Sequence, residues 1–216
     1  MSGLDELRSG IVRAMLPHVT FDGWSKIALR AGALDCGENE DIVDRLFPRG
    51  LNQAAEVYSV LADEEMVGAM EAAGVGEMKV RDRITAAVRL RLEAAENDRE
   101  AIRRLMSYLA VPGRKPLAAR LLMKTVDTMW YAAGDDATDF NYYTKRGLLA
   151  GVYGSTVLYW LNDESEGREA TWEFLDRRIG DVMQIPKLQA RVRKAAGLLP
   201  SPFKVLRVLS SRRRAV

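Results

Sequence analysis

Apolar residues return every three or four positions along nearly the whole chain, and no stretch alternates convincingly between apolar and polar. That period matches the helical turn, whereas a half-buried strand needs a period of two. Neither an Asn-Gly hairpin turn nor a tandem repeat argues otherwise, so the sequence predicts an all-α protein. Its 216 residues are enough to bury a sizeable core.

Read in order, Leu4, Leu7, Ile11 and Met15 form a first stripe, expected to stop at Pro17. Asp22 is the expected N-cap of a short helix near 24–33, and a third short helix near 40–47 should end at Pro48. A longer helix is expected from Leu51, its end blurred by Gly74 and Gly76. Ile84, Val88 and Leu92 then mark one inward face, Ile102, Leu105, Met106 and Leu109 the next, and Leu121, Leu122, Val126, Met129 and Trp130 a third. Pro112, Gly113 and Pro116 separate the last two, and Gly134 suits the left-handed position that closes a helix. One more helix is expected over 143–161, and another through Trp172, Leu175, Ile179 and Val182, ended by Pro186. The expected organisation is a helix-turn-helix-like region over 1–50, a helical bundle over 51–185 and a basic tail over 186–216.

The formal net charge of +2 hides a division. No acidic residue follows Asp181, while nine basic residues do, which leaves 23 basic against 30 acidic residues over positions 1–181. Within the tail, residues 201–213 read as a helix with Ser201 as N-cap and Pro202 in its first turn. Phe203, Val205, Leu206, Val208 and Leu209 spread over one face, with Lys204, Arg207 and Ser211 opposite. This suits an interfacial helix on anionic lipid, with Phe203, Lys204, Val205, Leu206, Arg207 and Leu209 as membrane-binding candidates. A helix packed on the acidic body, or a solvated tail, is the competing reading. The fifteen uncharged residues Gly147 to Leu161 fall short of the ~20 apolar residues needed to span a bilayer. The N-terminus MSGLDELRSG carries no apolar leader and Cys36 has no partner for an internal disulfide, so the expected location is cytoplasmic, peripherally associated with the inner face of the membrane.

Little here points to catalysis. One histidine, His18, cannot build a multi-histidine metal site, and Cys36 has no companion motif. The patterns GxxxxGK[ST], GxGxxG and GxSxG are absent. Asp135, Asp136 and Asp139 could be drawn as an acid pair or metal site, yet acids at a helix entrance suit the positive end of its dipole. The expectation is a non-enzymatic protein with no catalytic residues and no metal.

The helix beyond those acids is unusual: Gly147, Gly151 and Ser155 recur every four residues, with Gly154 nearby. Small residues on one face permit either a tight helix contact, within the bundle or between subunits, or room for a long apolar ligand. On the second reading the walls are Met106, Leu109, Leu122, Trp130, Tyr153 and Val157, as lipid-binding candidates.

Two resemblances bear on this choice. FDGWSKIALRAGALD and the later DRLFPRG resemble the DNA-reading region of TetR-type regulators, although Glu38 to Arg45 holds four acids and one Arg where phosphates would have to be met. No nucleic-acid partner is expected, and a TetR-type ligand-responsive transcriptional regulator is the alternative. More specifically, VRDRITAAVRLRLEA, LLMKTVDTMWYAAGDDATDFNYYTKRGLLAGVYGSTVLYWLND and ATWEFLDRRIGDVM resemble the coenzyme Q (ubiquinone) biosynthesis protein nine family, as does MLPHVTFDGWS. That resemblance implies a TetR-like bundle with a divergent helix-turn-helix-like region. It implies a homodimer with no cofactor other than a bound isoprenoid or phospholipid, and a non-catalytic role presenting a polyprenyl-quinone precursor to a ubiquinone-pathway hydroxylase. It also implies a partner-binding patch of Asp127, Met129, Asp139, Asn141, Tyr142 and Tyr143, with Tyr142 standing where relatives often have Trp.

Overall fold

The computed structural model describes residues 3–135 and 141–182, leaving aside the side chain of Asn141. The chain divides into a compact unit over residues 1–176 and a second over 177–216. The expectations for Asp136, Asp139 and Asn141 as side chains, for Pro186 and for the amphipathic tail with Phe203, Lys204, Val205, Leu206, Arg207 and Leu209 lie outside the described residues. Of the second unit, residues 177–182 are described and are helical.

Among the described residues of the first unit every regular element is helical: α1 (Gly3–Asp22), α2 (Lys26–Asp35), α3 (Ile42–Leu46), α4 (Leu51–Ala72), α5 (Val80–Glu93), α6 (Arg99–Leu109), α7 (Lys115–Ala132), α8 (Asn141–Asn162) and helical residues from 169 onward. No helix among them is long and apolar enough to cross a membrane.

Two expected boundaries are corrected. Helix α1 does not stop at Pro17 but carries it in its last turns. Proline there removes one intrahelical hydrogen bond, yet Leu16 and Val19 on either side are buried and hold the turn against the core. The N-cap of α2 is Ser25, not Asp22: its backbone is extended and its side chain accepts from the Ala28 amide at 3.2 Å. His18 reaches across to Asp35, Nε2 to Oδ2 2.7 Å, and fastens the end of α1 to the end of α2. The two helices cross at Gly32, where a Cβ would lie 2.6 Å from the Ile11 carbonyl oxygen.

The other ends follow the sequence signals. Gly50, Gly74 and Gly134 all have positive φ and begin or end helices, as Gly134 was expected to do. Helix α1 packs on α4 and α6 as well as α2, so the N-terminal helices share the core of the bundle. Within the bundle α4 packs on α5 and α7, and α7 on α8.

The far end of α8 is held by a polar clamp. Trp160 is fully buried and its Nε1 donates to Glu96 at 3.1 Å. Arg99 donates to the carbonyls of Trp160 and Asp163 at 2.7 and 3.0 Å, and Arg103 to that of Leu161. These cations meet the last carbonyls of the helix, which have no intrahelical donor. With this end fixed, the middle of α8 is held as a wall against α5 and α7.

Candidate functional site

Between α4, α5, α6, α7 and α8 lies a cavity of about 400 Å³. Leu92, Ile102, Leu105, Leu109, Leu121 and Val157 make its buried apolar walls. Small residues keep it open: Ala118 and Ala119 on α7 and Gly154 on α8 project too little to fill it. Its size falls in the range of small-molecule pockets, ~300–1,000 Å³.

The cavity is not uniformly apolar. Tyr58, Arg91, Thr125 and Tyr153 also line it. Arg91 is buried and its Nε donates to Asp63 Oδ1 at 3.1 Å; the Thr125 hydroxyl lies 3.0 Å from both oxygens of the same carboxylate. Burial pushes the Asp63 carboxyl up, and Arg91 and Thr125 work against that rise. Burial also raises the Tyr58 and Tyr153 hydroxyls, so both stay protonated at neutral pH. For Arg91, burial alone would favour the neutral form, but the charge of the Asp63 carboxylate and its hydrogen bond work against that and keep the guanidinium charged. The interior thus offers one cation, already paired, and the neutral hydroxyls of Tyr58, Ser59 and Tyr153, with that of Thr125 engaged by Asp63.

Five sequence-predicted wall residues, Met106, Leu109, Leu122, Tyr153 and Val157, line this cavity together. The structure corrects the sixth. Trp130 lies elsewhere on α7, with the Lys145 ammonium 5.5 Å from its ring centre. Sequence reasoning missed Arg91 and Asp63, although a signal was present: Arg91 continues the inward series Ile84, Val88, and Asp63 sits one turn before buried Met66. A charge on an inward stripe calls for a partner.

The glycine face of α8 divides. Gly154 lines the cavity, whereas Gly147 and Gly151 are exposed and a Cβ at either would meet nothing within 4 Å. Among the described residues they make no tight contact.

A second feature lies where the start of α8 meets the end of α7. Arg146 is buried beneath it, its Nε donating to Asp127. The Tyr142 hydroxyl lies 3.4 Å from the same Asp127 oxygen, and its ring meets that of Tyr143 edge to face at 5.1 Å. Lys145 pairs with Asp135 at 2.7 Å. Tyr143 and Tyr131 stand out at 78% and 79% exposure, so Tyr131 joins the surface although the sequence did not single it out. Met129 is corrected: with no exposed surface it packs beneath the patch and offers nothing to a partner.

In the N-terminal region, exposed Asp44 of α3 pairs with Lys26 of α2 at 2.6 Å and approaches Arg30 at 3.7 Å. The hydrogen bond and charge of Lys26 hold its carboxyl below the usual range. Two cations of α2 are therefore drawn to a carboxylate of α3. Cys36 is exposed, and burial, Asp35 and Glu38 all raise its thiol, which disfavours the reactive thiolate. No cluster of three or more metal-ligating side chains occurs among the described residues.

A family model described as COQ9 matches residues 115–186. The chain is 32% identical over 204 residues to ubiquinone biosynthesis protein COQ9, mitochondrial, of Bos taurus, covering 90% of this chain and 63% of the relative. The Rattus norvegicus protein of the same name is also 32% identical, with 90% and 64% covered, and the Homo sapiens protein 30%, with 90% and 63%. The chain thus spans a little under two thirds of the length of these relatives. Among solved structures, the TetR transcriptional regulator from Nitrosomonas europaea superposes with a TM-score of 0.65 at 21% identity, covering 82% of this chain and 98% of that one. That likeness is one of fold, and it bears out the all-α, TetR-like architecture. The family match over residues 115–186 and identities of 30–32% along nine-tenths of its length make this chain similar to the COQ9 family.

Proposed function

We propose that this protein is a non-catalytic lipid-binding accessory of ubiquinone biosynthesis. It takes an isoprenoid lipid of the polyprenyl-quinone class into the α4 to α8 cavity and presents it to a pathway hydroxylase. The observation that carries this reading is the 400 Å³ cavity, with apolar walls kept open by Ala118, Ala119 and Gly154. The relatives' names, all of ubiquinone biosynthesis, supply the pathway. Exposed Tyr143 and Tyr131 beside Asp127 supply aromatic anchors of the kind interfaces use, and the hydroxylase docks there. Two copies pair through the exposed face of α8, and the basic tail holds the protein peripherally on an anionic membrane.

Native mass spectrometry of the purified protein tests the reading. An isoprenoid or other lipid retained in the complex, and polyprenyl quinone taken up after delipidation, is the expected result. Protein that comes free of lipid and ignores quinones in a binding assay overturns it.

The alternative, a ligand-responsive transcriptional regulator, shares the fold. Against it stands Asp44, which occupies Lys26 and Arg30 on the face that would approach DNA.

A further inference from the structure

Two cavities meet at one pair of side chains. Tyr58 and Arg91 line the large cavity and also a smaller one of about 280 Å³, bounded by Arg13, Glu65 and Asp98. Both residues are buried, whereas Ala110, Lys115 and Ala119 on the rim of the large cavity are exposed. Buried polar groups therefore stand in the interior, while the mouth carries small apolar groups and one exposed cation, Lys115.

An apolar chain gains nothing from a buried ion pair, and desolvating such a pair is costly. What the arrangement suits is a ligand whose polar end is innermost. The character of that end follows from the charges. Arg91 is already balanced by Asp63, which Thr125 holds in place. An anionic head would bring an unbalanced charge into a buried space, whereas an uncharged oxygen brings only acceptor lone pairs. The terminal N–H groups of Arg91, beyond the Nε that Asp63 occupies, and the Tyr153 hydroxyl can satisfy such oxygens.

Resting on the lipid-binding reading above, we propose that the lipid enters head first and is carried with its ring sheltered, the ring leaving the cavity when the lipid is handed to the hydroxylase. An uncharged oxygen-bearing ring is held by Arg91 and Tyr153, and the chain leaves past Ala110 and Ala119. Arg91 is then the residue that distinguishes a quinone-type head from a bare hydrocarbon or an anionic head. A cavity of this size encloses the ring and the first part of a polyprenyl chain, so the remainder stays outside the mouth.

The test uses the delipidated full chain and three probes displacing a polarity-sensitive dye: a dimethoxybenzoquinone with a decyl tail, decane, and decyl phosphate. Wild type should prefer the quinone over both others by about tenfold or more, a margin set by hydrogen bonds to a charged group. Asp63→Asn combined with Arg91→Gln, which removes both charges together, should lose about tenfold for the quinone and change less than twofold for decane. Tyr153→Phe, which keeps the ring packing, should lose about threefold for the quinone alone and decides the matter if the double variant does not fold. Equal losses for quinone and decane, no loss for either, or a wild-type preference for decyl phosphate overturns the head-first arrangement while leaving lipid binding intact. Displacement by none of the probes overturns both.

Discussion

The guanidinium carbon of Arg146 sits 3.3 Å from the centre of the Tyr142 ring, while the same side chain donates to Asp127. Tyr142 is thereby pinned to α7, and its neighbour Tyr143 is turned out to solvent. The two tyrosines, adjacent in sequence, therefore have different jobs.

Tyr143→Asp should lower the thermal midpoint only slightly, since the exposed ring gives up one edge-to-face contact with Tyr142, worth about 0.5–1 kcal/mol. In a pull-down with the pathway hydroxylase it should weaken association by about 2 kcal/mol or more, the scale of an interface anchor. An early-melting Tyr143→Asp protein would show that the residue holds the fold and not a partner.

Arg146→Ala should behave in the opposite way. It removes the ring contact and the Asp127 hydrogen bond at once, and urea unfolding should show a loss of about 1–3 kcal/mol. Loss of hydroxylase association would follow only because Tyr142 and Tyr143 are no longer positioned.

This difference between neighbours was not legible in the sequence, and the reason is general to the site. Periodicity identified which turns face inward, so the helices, the Gly134 stop and the walls Met106, Leu109, Leu122 and Val157 could be named in advance. It cannot say which of two inward-facing side chains meets a cavity and which meets another helix, and Trp130 was misplaced for that reason, whereas Met129, read as inward from its spacing, was assigned to the partner patch only by the resemblance. The Asp63 to Arg91 pair spans 28 residues and two helices, so only tertiary packing creates it. Local rules also failed at Pro17, where burial on both sides outweighs a lost hydrogen bond.

Asp63→Ala alone should be far more damaging than removal of both charges. It strands the Arg91 guanidinium in the interior, and breaking a buried pair from one side costs about 3–5 kcal/mol. Denaturant unfolding of Asp63→Ala against the Asp63→Asn and Arg91→Gln double variant reads the difference directly.

Acid should loosen the turn after α8. Burial raises the Asp163 carboxyl, but hydrogen bonds from Thr171 and Ser165 outweigh it and hold it at about 2. A carboxylate depressed in the folded state stabilises above its unfolded value, ~3.9, and that contribution is lost as pH falls from about 4 through 2. The melting midpoint of the wild type should therefore drop over this window, and Asp163→Asn should shallow that drop while lowering stability at neutral pH.

The two glycine environments give opposite predictions for one added methyl group. At Gly32 a Cβ would collide with the backbone of α1, 2.6 Å from Ile11 O and 2.7 Å from Met15 N, and backbone cannot step aside as a flexible side chain can. Gly32→Ala should destabilise by about 1–3 kcal/mol. At Gly151 a Cβ meets nothing in the chain, so Gly151→Ala should stabilise the isolated protomer by about 1 kcal/mol through helix propensity. If α8 pairs with a second copy through this face, the same methyl group intrudes on a close helix approach, and Gly151→Leu intrudes further. Sedimentation velocity should then show Gly151→Leu shifted to monomer at concentrations where wild type is dimeric, with its helical content intact. A Gly151→Leu protein that dimerises as tightly as wild type removes this face of α8 from the subunit interface.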